Sequence, residues 1–131
     1  MEQPRQTVLA VDDSLLNLQI IVDILKEDCN ILMARSGTEA IRIACSEPLP
    51  DLILLDIVMP DMDGFEATRQ IKSIDASIPV IALTASIVDS VKSQALEAGV
   101  NDFMYKPFIP ERFFEVISEY TGIVYSMEQD Q

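Results

Sequence analysis

Residues 52–66 read LILLDIVMPDMDGFE: four aliphatic side chains in a row, a carboxylate at Asp56, then a turn-forming stretch with Pro60, Asp61, Asp63 and Gly64. A short, unbroken apolar run closed by turn residues reads as a strand covered on both faces, which is the habit of parallel sheets. A charge at the end of such a strand is costly to desolvate unless something pairs with it. The stretch therefore sets both the fold class and the question of what Asp56 is for.

Working outward, the same pattern recurs. Apolar runs lie at Thr7–Val11, Asn30–Ala34, Leu52–Leu55, Val80–Leu83 and Asp102–Tyr105. Helix patterns fill the intervals. Leu15, Leu18, Val22 and Leu25 form one stripe, and Ser36-Gly-Thr-Glu39 has the spacing of a capping box opening a helix through Ile43 and Ala44. Phe65, Thr68 and Ile71 mark a third helix. Val88, Val91, Ala95 and Ala98 mark a fourth, with Gly99 as its stop. Pro110 suits the first turn of a fifth helix carrying Phe113, Phe114 and Ile117, one of the two phenylalanines buried and one partly exposed. Five strand–helix units in strict alternation predict an α/β fold. The expected form is a single-domain, flavodoxin-like three-layer sandwich with a parallel sheet of order 2-1-3-4-5 and five helices. The expected unit is 7–120, with residues 1–6 a flexible N-terminus and 121–131 a tail or linker start.

Composition narrows the chemistry. The chain has 131 residues, enough for one domain, and no apolar run of membrane-spanning length or signal-peptide character, so the expected setting is cytoplasmic without membrane contact. A net charge of −13 argues against nucleic acid as a partner, because that affinity rests on Lys and Arg. There is no histidine, which removes His-based triads, His-ligated zinc and imidazole acid–base chemistry. Cys29 and Cys45 have no metal-ligand spacing and read as reduced, partly buried thiols.

The polar residues fall at strand ends: Asp12 and Asp13 after the first, Asp56 after the third, Thr84 after the fourth and Lys106 after the fifth. In a parallel sheet of that order these ends share one edge, and the crevice between strands one and three is the switch point where ligands bind. Three carboxylates about 5 Å apart repel by roughly 3 kcal/mol per pair at an effective dielectric near 20, so they stay ionised together only beside a cation. An all-oxygen set suits Mg2+, or Mn2+ in its place, better than zinc. A carboxylate beside such an ion and an ammonium has the setting of a nucleophile toward phosphorus. Each residue also has a plainer reading: Asp12 and Asp13 as helix caps, Asp56 as a turn cap, Thr84 as a strand residue and Tyr105 as a rim aromatic. Convergence is what separates the two sets. A calcium-loop reading of Asp61–Gly64 fails, because alignment on Gly64 puts Met59 and Gln70 where acids are required.

The pieces VLAVDDSLLN (8–17), PDLILLDIVMPDMDGFEATRQIK (50–72), IPVIALTA (78–85) and AGVNDFMYKPF (98–108) together resemble the receiver domains of two-component signalling. Asn17 and the 101–117 stretch resemble receivers of hybrid histidine kinases and of diguanylate-cyclase regulators. The resemblance implies a phosphorelay switch that takes a phosphoryl group on Asp56 from a histidine kinase or histidine phosphotransfer protein. It implies Mg2+ held directly by Asp13, mostly through water by Asp12, and by Asp56 and the Val58 carbonyl. Lys106, joined to Pro107 by a cis bond, would bind the phosphoryl group. Thr84 would be the switch hydroxyl and Tyr105 the switch aromatic, with small Ala85 leaving access to Asp56. Val58 and Ser86 would tune phosphoryl lifetime, and the face of helix four, strand five and helix five would meet a downstream effector. Such a domain catalyses its own phosphorylation and dephosphorylation without turnover, although a parent chain could be a sensor histidine kinase. A phosphatase with an aspartyl-phosphate intermediate would want an aspartate where Val58 stands, and a never-phosphorylated scaffold usually lacks part of the acidic set.

Overall fold

The computed structural model describes residues 6–47, 49–58, 63–85 and 88–122. Strands and helices alternate: β1 (Gln6–Val11), α1 (Leu15–Leu25), β2 (Cys29–Ala34), α2 (Gly37–Ala44), β3 (Leu52–Asp56), α3 (Gly64–Ile74), β4 (Val80–Thr84), α4 (Asp89–Ala98), β5 (Asp102–Tyr105) and α5 (Pro110–Thr121). All pairings are parallel and the sheet order is β2-β1-β3-β4-β5, as expected.

The unbroken apolar runs split by residue parity. Leu9, Val11, Ile53, Leu55, Val80 and Ala82 face a core closed by Ala40 and Ala44 of α2, Ala67 and Ile71 of α3, and Ala95 of α4. Val8, Ala10, Leu52, Leu54, Ile81 and Leu83 face the other core, closed by Leu18, Ile21 and Leu25 of α1 and by Phe113, Val116 and Ile117 of α5. Successive side chains point to opposite faces, so a strand with helices on both sides must be apolar at every position. That gives three layers, and it explains why strand three shows no alternation.

β1 begins at Gln6 and α5 ends at Thr121. Several local expectations are corrected. The buried stripe of α1 is Leu18, Ile21 and Leu25; Leu15 is 60% exposed. At α2, Ser36 caps as predicted by accepting from Glu39 N–H, but the Glu39 carboxylate reaches back to Arg35 N–H, one residue before the box would place it. Of the thiols, Cys29 is buried and Cys45 is exposed. Phe113 is buried and Phe114 half-buried. Gly99 closes α4 with φ 112°, in the left-handed region that glycine tolerates.

Candidate functional site

The carboxyl ends of the parallel strands form one edge, and the site is assembled there from short-range constraints. After β1, Asp12 N–H still pairs with Ala34 O at 3.1 Å, so Asp12 leaves the sheet at a defined height. Its Oδ1 accepts from Ser14 N–H at 2.9 Å and its Oδ2 from Asn17 Nδ2 at 3.1 Å. The helix cap of α1 is Ser14, which accepts from Asn17 N–H, so capping is not the task of Asp12 or Asp13. The same turn closes β3: Asp56 Oδ1 accepts from Val58 N–H at 3.0 Å. Aspartate bonds its own backbone two residues on with little strain, and this fixes both side chains against their strands.

Gly64 makes the approach to Asp56 feasible. A Cβ at Gly64 would lie 2.3 Å from Ile57 Cα and 2.9 Å from Asp56 O, while Gly64 N–H donates to Ile57 O at 3.1 Å. The start of α3 is thus pressed onto the backbone carrying Asp56. Asp63 caps α3 by accepting from Glu66 N–H. Pro60, Asp61 and Ser86, and the segments 1–5 and 123–131, lie outside the described residues.

Asp12, Asp13 and Asp56 converge, each offering a carboxylate oxygen, all within 4.8 Å of one another. Asp12 and Asp56 are buried and Asp13 is exposed. Lys106 Nζ stands 3.4 Å from Asp12 Oδ2 and 3.4 Å from Asp56 Oδ2, straddling the pair. It is delivered by β5, with Lys106 N–H bonded to Thr84 O at 2.9 Å and a cis bond to Pro107. Burial pushes the Asp56 carboxyl above its ordinary value, and the Asp12 charge pushes the same way. The Val58 N–H and the Lys106 ammonium oppose that shift without cancelling it.

Buried Thr84 is the last residue of β4, in register with Tyr105 on β5. Tyr105 is 37% exposed, its ring stacked on Phe103 at 6.5 Å between centroids, with Lys92 Nζ 5.6 Å from its centroid. Ala85 is exposed beside the site, and Val58 is 75% exposed. Sequence reasoning did not single out two neighbours. Arg35 donates to Asp13 O at 3.2 Å, which ties the loop after β2 to the loop after β1. Phe103 shares the face of Tyr105, as the alternation of β5 could have indicated.

The arrangement has a hard-oxygen donor set, a buried carboxylate and an ammonium at a sheet's switch point. The profile of the response regulator receiver domain family matches residues 8–118. This chain belongs to that family. The receiver is 38% identical over 114 residues to the chemotaxis protein CheY of Bacillus subtilis, covering 86% of this chain and 94% of that protein. Among solved structures it superposes on the receiver domain of a Pseudomonas aeruginosa sensor histidine kinase with a magnesium ion coordinated in its active-site cleft. The TM-score there is 0.83, with 30% identity over 92% of this chain and all of that one. It also superposes on the receiver domain of a Saccharomyces cerevisiae response regulator co-crystallised with a histidine phosphotransfer signalling protein. That TM-score is 0.82, with 28% identity over 92% of this chain and 91% of the other. Against the histidine kinases that it also matches, the receiver spans 7–14% of their length. As a receiver it is a phosphorylatable switch of two-component signal transduction.

Proposed function

We propose that Asp56 is the phosphoryl acceptor, that Lys106 and Thr84 hold the transferred group, and that Tyr105 transmits the change. One observation carries the reading: three carboxylates within 4.8 Å share an edge with an ammonium 3.4 Å from two of them. The donor set fits a hard divalent ion, Mg2+ or Mn2+, held by Asp12, Asp13, Asp56 and the Val58 carbonyl. Such an ion supplies charge neutralisation for the phosphoryl oxygens. The magnesium in the cleft of the Pseudomonas receiver supports the same assignment.

The Asp56 carboxylate attacks phosphorus, an O–P bond forms, and the P–N bond of the donor phosphohistidine breaks. The electron pair returns to the imidazole nitrogen, which takes up a proton. Lys106 neutralises charge on the group in flight, and the Thr84 hydroxyl donates to a new phosphoryl oxygen. Water later attacks phosphorus, releases phosphate and restores the carboxylate. Exposed Leu15, Leu16 and Ile20 on α1, with Ile109 beyond Lys106, form the apolar rim against which a histidine-bearing kinase or phosphotransfer domain docks. The yeast complex supports that class of donor. Phosphorylation biases a two-state equilibrium in which the α4-β5-α5 face, including exposed Val88, Leu96 and Tyr105, meets an effector. We assign the unit to 7–120 in a cytoplasmic setting, without nucleic-acid or membrane contact; no described helix is long and apolar enough to cross a membrane.

The test is intact mass after incubation with Mg2+ and acetyl phosphate. One labile phosphoryl adduct is expected, absent with EDTA and absent in Asp56→Asn. An adduct that persists in Asp56→Asn would assign the acceptor elsewhere.

A further inference from the structure

We propose that Asn17 is a positioning residue that presents Asp12 to the divalent cation, an inference that rests on the switch reading above. Asp12 is fully buried, and a buried carboxylate is costly unless its oxygens are matched by donors. Oδ1 has a fixed donor in Ser14 N–H at 2.9 Å. Oδ2 has two: Asn17 Nδ2 at 3.1 Å and Lys106 Nζ at 3.4 Å.

The two donors on Oδ2 differ in charge and in mobility. Lys106 is shared equally with Asp56, and its ammonium is repelled by any cation that enters between the carboxylates. Asn17 is neutral and sits in the first turn of α1, its own N–H bonded to Ser14 Oγ at 3.3 Å. It therefore keeps Asp12 oriented when Lys106 moves to the phosphoryl group, and it does so without competing with the cation for charge. Without the Asn17 amide, Oδ2 would lean on Lys106 alone, drawing the ammonium toward Asp12 and into the place a cation needs. Partners that orient ligating groups in this way typically control metal affinity by about tenfold or more.

Mn2+ titration followed by electron paramagnetic resonance, which counts the free ion, tests this on the whole chain. Urea unfolding without metal is measured beside it. Asn17→Leu keeps the side-chain bulk and removes the donor; Leu25→Ala loosens the far end of α1 and keeps the amide. Asn17→Leu is expected to weaken Mn2+ by about tenfold, and Leu25→Ala to lower stability while holding Mn2+ within about twofold of wild type. Equal affinity in Asn17→Leu and wild type would overturn the proposal. So would an equal loss in both variants, which would trace the effect to fraying of α1. A wild type that fails to bind Mn2+ would overturn the switch reading itself, an outcome seen in the first titration.

Discussion

Asp56 carries its charge at a cost. It is 5% exposed, and burial is the first cause of its raised pKa. The native state therefore holds the proton more tightly than the unfolded chain, whose value is 3.8. As pH rises from 3.8 through the native value, stability is lost; above that value the deficit is complete, and below 3.8 it is absent. Asp56→Asn is thus expected to be more stable than metal-free wild type at pH 7, with the gap closing as pH falls toward 3.8. Urea unfolding of both proteins across that range checks it; an equal gap at every pH would contradict the account. Lys106→Met has the opposite sign. It strips the cation from two buried carboxylates and should cost about 2–3 kcal/mol without metal, discounted because the ammonium is partly solvated. Mg2+ should restore part of that loss, read as a rise in the urea midpoint.

At the scale of elements, two contacts hold the site's frame. Gly64 lets α3 rest on the Asp56–Ile57 backbone, where a Cβ would meet Ile57 Cα at 2.3 Å. Gly64→Ala pushes against Ile57 Cα, Asp56 O and Ile57 Cβ, none of which can swing aside, and is expected to cost about 2–3 kcal/mol and to weaken Mg2+ binding, because Asp56 moves with the displaced strand end. Calorimetry and a metal titration on the same variant would show both effects or neither. At the opposite edge of the sheet, Lys72 Nζ donates to Ile78 O at 2.7 Å, Asn101 Oδ1 at 2.8 Å and Ala76 O at 3.3 Å. Asn101 Oδ1 also accepts from Val80 N–H. This hub ties the end of α3 to the starts of β4 and β5. Lys72→Met is expected to lose about 1–2 kcal/mol with cation affinity unchanged, since nothing in the hub reaches the acidic edge. That contrast with Gly64→Ala separates the frame's stability from the site's geometry.

At the scale of the whole molecule, the acidic edge is expected to make stability conditional on ions. A cation that binds the native state alone stabilises it by RT ln(1 + [L]/Kd), about 1.4 kcal/mol at ten times Kd. The melting temperature should rise with Mg2+, fall back on chelation, and respond far less in Asp13→Asn. The overall plan was legible because each strand's apolar run and each helix's stripe are local patterns, and because strict alternation leaves few topologies. Asp12, Asp56, Thr84 and Lys106 were legible for the same reason: each ends a strand, and a parallel sheet gathers such ends. Three features were not. The exposed first turn of α1 is a matter of tertiary packing, which spacing alone does not state. The shift of Glu39 from Ser36 N–H to Arg35 N–H depends on the backbone path entering α2. Lys106 lies equally far from two carboxylates because β4 sets the height of β5, a relation between strands distant in the chain. The sequence by itself determined which residues reach the acidic edge, because hydrophobic period and strand order are encoded locally. Only the tertiary structure decided which oxygen each donor holds, because hydrogen bonds of about 3 Å depend on how α1, β3 and β5 pack, and no local pattern carries that distance.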